Sequence, residues 1–179
     1  MENQKVTRLI LIPGAPGVGK TSVAQCLAAS LDGTVARLCG DVFILAVTPF
    51  EISEDRRVFL RENLTSFARH AIEHGYDWVV MECVIPSDAF IRRLIEAIGL
   101  PTNQRHVFSL LAEKGAYKRR LEAKMRYHDA ATPNLGDCYE WMERIKRLSV
   151  PTAIDTSANT AEETASEILR RVLPADRRA

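Results

Sequence analysis

Gly14-Ala15-Pro16-Gly17-Val18-Gly19-Lys20-Thr21 decides how this chain is read. The octapeptide fits the pattern GxxxxGK[ST], and its flanks fit as well. The apolar run Val6–Ile12 (VTRLILI) reads as a buried strand. Thr21–Leu31 reads as a helix with Val23, Leu27 and Leu31 on one face, stopped by Asp32-Gly33. Gly17 and Gly19 lack a Cβ, so the backbone between strand and helix can curl and aim its N–H groups inward. Those amides and the helix N-terminus make a site for anionic phosphates. Lys20 supplies a point charge for the β- and γ-phosphates, and the Thr21 hydroxyl a ligand for Mg²⁺. The segment Gly14, Ala15, Pro16, Gly17, Val18, Gly19, Lys20, Thr21 and Ser22 is therefore the expected seat of a nucleoside triphosphate.

Strands and helices alternate outward from this loop. Thr34–Leu38 reads as a second strand and Thr48–Asp55, which contains Pro49, as irregular. Glu54–His74 reads as a long helix ended by Gly75, and Tyr76–Cys83 (YDWVVMEC) as a third strand. Ser87 caps a helix reaching Ile98, and Arg105–Ala112 is a fourth strand. Ala116–Arg126 is a basic helix, Asp129–Asp137 a loop and Cys138–Leu148 a further helix. Pro151–Asp155 is a short fifth strand and Ala161–Leu173 the last helix. Strands that are apolar throughout belong to parallel sheets covered on both faces. The expected fold is thus three-layer α/β, with five parallel strands. Ligands in such sheets bind beyond the carboxyl ends of the strands.

Composition narrows the classes. With 179 residues, one domain spanning 1–179 is expected. Hydrophobic residues make up 46% and charged residues 26%, which excludes a disordered or collagenous chain. Net charge is +1, which argues against a general nucleic-acid binder. Cys26, Cys39, Cys83 and Cys138 form no CxxC pair and read as reduced thiols. There is no signal-peptide core at the N-terminus and no run long enough to span a membrane, so a cytoplasmic location is expected.

Three further segments carry charge in telling places. Asp41, in Gly40-Asp41-Val42-Phe43, follows the second strand, where a carboxylate can take a proton from an attacking hydroxyl or help hold Mg²⁺. The alternative is a turn aspartate capping a helix. Glu82 ends the third strand in the place of a Walker-B acid and is the other candidate for the Mg²⁺ shell. Between Lys114 and His128 stand Lys114, Lys118, Arg119, Arg120, Lys124 and Arg126 against Glu122 alone. Such a segment can close over a phosphoryl group and stabilise its spreading charge, or can be an ordinary solvated face.

The chain resembles the small phosphate-loop kinases: the shikimate kinase, gluconate kinase, chloramphenicol phosphotransferase and zeta-toxin-like group. The resemblance rests on GAPGVGKT, CGDVF, GYDWVVMEC, the lid-like KRRLEAKMR and the ending VPTAIDTSANTAEETASEIL. It implies a kinase that uses ATP and Mg²⁺ and moves the γ-phosphoryl group to a hydroxyl of a small molecule. It implies that Asp41 is the base or orienting carboxylate, and that Arg120 and Arg126, with Lys124, are lid cations spanning roughly 114–137. It implies further that Arg119 stacks on adenine and that Thr156 and Ser157 border it. Lys124 stands where many lids carry a second arginine, a point charge in place of a planar fork. Kinases of nucleoside monophosphates usually carry an arginine shortly after the third strand, and here that stretch is Cys83-Val84-Ile85-Pro86-Ser87. Arg56, Arg57 or Arg92 could supply the missing charge, so that class stays an alternative, beside an ATPase that phosphorylates nothing. The acceptor pocket is expected from Asp41–Arg57 and Cys83–Arg93; the acceptor's identity and the oligomeric state stay open.

His70-Ala71-Ile72-Glu73-His74 matches the inverted zinc-protease signature HxxEH. The helix ends one residue later, at Gly75, and the chain is small for such an enzyme, so the pair is read as polar residues at a helix end.

Overall fold

A computed structural model describes residues 6–45, 53–85, 87–125 and 135–173. The elements run β1 (Arg8–Pro13), α1 (Lys20–Ser30), β2 (Val35–Cys39), α2 (Asp41–Leu45), α3 (Glu54–Glu73) and β3 (Trp78–Cys83). They continue with α4 (Asp88–Ile98), a 3-10 turn (Thr102–Gln104), β4 (Arg105–Leu111), α5 (Lys114–Met125), α6 (Leu135–Lys146), β5 (Thr152–Asp155) and α7 (Ala161–Val172).

The five strands form one parallel sheet in the order β2-β3-β1-β4-β5. β1 lies at its centre, with Ile12 opposite Glu82 of β3. Alternation along β1 divides the interior in two. Ile10 and Ile12 face a core built with Val23, Leu27, Tyr117, Leu121, Met142 and Ile168. Leu9 and Leu11 face the other, built with Leu60, Leu64, Ala68, Ile91 and Leu94. Helices α1, α5, α6 and α7 therefore cover one face, and α3 and α4 the other, the three layers expected from strands without polar alternation.

The helix signals act where the residues place them. Ser53 and Ser87 accept the backbone N–H of Arg56 and Phe90, capping α3 and α4. Thr160 and Glu163 form a complete capping box at α7. Three helix starts depart from the sequence reading by more than one residue. Helix α2, which begins at Asp41, was too short to show a period; it is held by Phe43, whose ring meets Phe59 of α3 edge-on at 6.5 Å. Helix α5 starts at Lys114, two residues before Ala116, as the Tyr117 N–H bonds the Glu113 carbonyl. Helix α6 starts at Leu135, three residues before Cys138, because its apolar stripe (Leu135, Cys138, Met142, Ile145) begins there. Arg126, the lid residues 126–134 and most of the segment read as irregular after Thr48 lie outside the described residues.

Candidate active site

The phosphate loop is a direct continuation of the sheet. The Gly14 N–H bonds the Cys83 carbonyl at 3.3 Å, extending the β1–β3 ladder by one step. Gly17 (φ 74°) and Gly19 (φ 109°) then turn the chain through the left-handed region, which side-chain-bearing residues rarely occupy. Gly17 also needs its bare Cα: a Cβ there would sit 2.6 Å from Leu121 Cδ2 of α5. At Gly19 a Cβ would meet nothing within 4 Å, so the loop leaves open space at the head of α1.

Lys20 is buried at the base of this turn, and its Nζ donates to the Ala15 carbonyl at 3.2 Å. The same Nζ lies 3.7 Å from Asp41 Oδ2. The other Asp41 oxygen, Oδ1, accepts the Val84 N–H at 2.9 Å, which pins the carboxylate and leaves Oδ2 turned toward Lys20. The two residues stand 21 positions apart in the chain and meet because β2 and β1 both end at this edge, on either side of β3.

Glu82 is fully buried. Its Oε2 accepts the Thr21 hydroxyl at 2.7 Å, and its Oε1 takes the Arg37 guanidinium at 3.2 Å. Burial pushes the Glu82 carboxyl above the usual range; the Thr21 bond and Lys20 pull it down, Asp41 raises it, and Arg37 lowers it. Burial likewise raises the Cys39 and Cys83 thiols beside it, so neither is an activated nucleophile. Mg²⁺ takes hard oxygen ligands, commonly one or two from protein and the rest from phosphates and water. The Thr21 hydroxyl and Glu82 carboxylate, with Asp41 close by, are a donor set of that kind.

Helix α5 is tied to the loop from above. The Tyr117 hydroxyl, on a side chain with no solvent exposure, lies 2.6 Å from the Pro16 carbonyl and 3.2 Å from that of Cys138. Burial raises the phenol well above its ordinary range, so it stays a proton donor. Arg120 donates to the Val18 carbonyl at 3.1 Å and to Thr156 Oγ1 at 2.7 Å, and also bonds the Thr156 carbonyl. One guanidinium thus joins the phosphate loop to the loop after β5. Thr156 is buried and bonds the Leu111 carbonyl through both its N–H and its hydroxyl. Ser157 accepts the Glu113 N–H and donates to Asp155. Arg119, Lys124 and Ser22 are exposed, and Arg119 and Lys124 sit on α5.

The expected residues Lys20, Thr21, Asp41 and Glu82 are therefore gathered at one sheet edge, and Arg120 and Thr156 are joined to each other beside it. Sequence reasoning missed Arg37 and Tyr117. Arg37 had a signal: it is the one cation in the strand Val35–Cys39, and it lies two residues before Cys39, the register partner of Glu82, hence on the same face. Tyr117 had none, being one aromatic in a basic helix. His70 and His74 are exposed at the end of α3, where the His74 ring meets the His70 carbonyl at 2.8 Å.

The model of chloramphenicol phosphotransferase-like proteins matches residues 7–95, the part that holds the phosphate loop, Asp41 and Glu82. The chain has the fold of the small phosphate-loop kinases. Its fold is shared, over nearly the whole length, by several solved kinases and a resistance protein. The Deinococcus radiodurans tunicamycin resistance protein is 22% identical, with 93% of this chain and 95% of that chain covered and a TM-score of 0.66. A Sinorhizobium meliloti gluconokinase is 17% identical, with 92% and 91% covered and a TM-score of 0.66. The Acinetobacter baumannii shikimate kinase is 17% identical, with 94% of each covered and a TM-score of 0.59. No curated protein matches the sequence.

Proposed function

We propose that the protein is an ATP-dependent phosphotransferase that moves a γ-phosphoryl group to a hydroxyl of a small molecule. The observation that carries this reading is the Lys20–Asp41 pair. A phosphate-binding ammonium and a carboxylate pinned by Val84 face each other at 3.7 Å, where an acceptor oxygen and a γ-phosphate would have to meet. Bound Mg²⁺ would neutralise charge on the triphosphate, and Thr21 and Glu82, with Asp41 near, are the residues to hold it. The loop amides from Gly17 to Thr21 and Lys20 hold the β- and γ-phosphates. Asp41 Oδ2 orients the acceptor hydroxyl and takes its proton, while Oδ1 stays on the Val84 amide.

Arg120, whose donors already serve Val18 and Thr156, acts as a brace that keeps the nucleotide-side loops together. Lys124 and Arg126 are left as the lid cations for the transferred group, and Arg119, Thr156 and Ser157 border the base. The acceptor enters on the α2–α4 side, between Asp41–Arg57 and Cys83–Arg93. Residues 1–179 work as one domain, in the cytoplasm.

Two substitutions test this. Lys20→Ala removes phosphoryl transfer and weakens nucleotide binding. Asp41→Asn keeps the Val84 bond and the shape but removes the base, so kcat falls by about 10²–10⁴-fold with nucleotide affinity nearly unchanged. Radiolabelled ATP with a metabolite panel is the assay. Full activity in Asp41→Asn overturns the base assignment, and bound nucleotide without any labelled product overturns the kinase reading.

A further inference from the structure

The loop after β5 is shaped by one carboxylate. Asp155 Oδ1 accepts the Ser157 N–H at 2.9 Å and the Ser157 hydroxyl at 2.5 Å. The hydroxyl and the N–H hold the Asp155 carboxyl below its usual range; slight burial opposes them, and the Arg120 guanidinium adds to them. The Ser157 hydroxyl oxygen in turn accepts the Glu113 N–H at 2.7 Å. Glu113 immediately precedes α5, and its carbonyl takes the Tyr117 N–H in the first turn of that helix. A chain of three groups, Asp155 to Ser157 to Glu113, therefore fastens the end of β5 to the start of α5.

Arg120 makes a second fastening, since it bonds both Thr156 and the Val18 carbonyl of the phosphate loop. The two loops thus stand one guanidinium apart. The polar atoms between them are already engaged. Thr156 gives its N–H and its hydroxyl to the Leu111 carbonyl, and its own carbonyl takes Arg120 and the Asn159 N–H. Ser157 gives its N–H and its hydroxyl to Asp155. Neither side chain has a proton left to donate to a nucleobase, so this part of the loop offers a shaped wall. The strand order sets which end of a nucleotide meets that wall. Asp41 follows β2 at one edge of the sheet, the phosphate loop follows β1 at its centre, and Asp155 ends β5 at the other edge. A triphosphate whose γ end faces Asp41 carries its nucleoside toward β5.

We infer that Asp155 is a positioning residue for the nucleoside end of the phosphoryl donor, acting through Ser157 and the Glu113 amide. The inference rests on the kinase reading for the direction in which the triphosphate lies. It gives a role to a carboxylate outside the phosphate loop, and it makes Ser157 a link between two elements where the family resemblance implies only a neighbour of the base. Removing the carboxylate frees both Ser157 donors, releases the Glu113 N–H from a fixed acceptor and lets the wall shift, while Lys20 and the loop amides stay as they are.

The test uses the full chain with Mg²⁺ and two probes read by titration calorimetry, ADP and inorganic tripolyphosphate. Both carry phosphates for the loop, and only ADP carries a nucleoside. Asp155→Ala weakens ADP binding about tenfold or more and leaves tripolyphosphate binding within about twofold of the wild type. Asp155→Asn keeps one amide oxygen for Ser157 and falls between. Ser157→Ala repeats the loss for ADP, and the double variant loses no more than Asp155→Ala alone, because both act through one chain of bonds. Should Asp155→Ala fail to fold, Asp155→Asn and Ser157→Ala decide by the same comparison of probes. Equal losses for the two probes, unchanged ADP affinity in the variants, additive losses in the double variant, or a wild-type chain that does not bind both probes each overturn the assignment. The kinase reading fails separately, by absence of labelled product from radiolabelled ATP while the loss specific to ADP persists.

Discussion

Single residues divide the labour of the site by their surroundings more than by their type. Two carboxylates lie within reach of Lys20, yet Asp41 is partly exposed and tied by one oxygen, whereas Glu82 is fully buried and tied by both. Asp41 keeps Oδ2 turned toward Lys20 at a partly exposed position, whereas both Glu82 oxygens already accept, from Thr21 and Arg37. Arg37 is about one-third exposed and its guanidinium bonds Glu82, so we propose that it acts through Glu82 as a positioning residue. Arg37→Gln should raise the Mg²⁺ concentration needed for half-maximal activity by about tenfold or more. Metal-free nucleotide binding should not change, and Arg37→Lys should restore part of the loss. A magnesium titration of activity beside a metal-free nucleotide titration checks this, and equal loss in both points to a general structural role.

Among the elements, α5 is tied to the phosphate loop by its side chains. Its charge is high, so the sequence reads it as a basic, lid-like helix. Tyr117 and Leu121 nevertheless carry its buried face, and Tyr117 straps it to the phosphate loop through Pro16. Tyr117→Phe keeps the ring and removes one hydroxyl, leaving the Pro16 carbonyl without that donor. The expected cost is about 1–3 kcal/mol of stability, with a larger rise in KM for ATP than fall in kcat. Urea unfolding and steady-state kinetics measure the two; an unchanged KM would show that the loop holds its shape without the strap. Helix α2 makes the complementary point. Asp41 is legible in the sequence as a candidate carboxylate, but the five-residue helix it starts has no period of its own and is held by Phe43 on Phe59.

For the whole molecule, pH dependence is a property of the packed sheet. His106 lies in β4 opposite Ile10 of β1, half-buried. Burial lowers its imidazole below the ordinary value, and the Arg8 guanidinium lowers it further. A histidine depressed in the folded state favours folding above its unfolded pKa of about 6.5, and that contribution is lost as pH falls through the folded value. Stability should therefore decline on acidification below about pH 6.5, and His106→Asn should flatten that slope without moving the neutral plateau. Denaturant unfolding from pH 7.5 to 5 checks it, and an identical slope in the variant removes His106 as the cause.

What the linear pattern carries here is whatever depends on near neighbours. The strand–GAPGVGKT–helix succession, the apolar strands and the capping residues name the sheet, its three layers and the place of the triphosphate, because backbone curvature and hydrophobic period are local. Asp41 and Glu82 are legible as candidates for the same reason: each stands at the carboxyl end of a strand, and strand ends are visible. The pairings across the site are another matter. That Asp41 meets Lys20, that Arg37 reaches Glu82 and that Arg120 joins Val18 to Thr156 follow from the order β2-β3-β1-β4-β5 and from which face each side chain shares. Those are contacts between residues 21 to 102 positions apart, and only closure of the sheet and its two helical layers brings them within bonding distance.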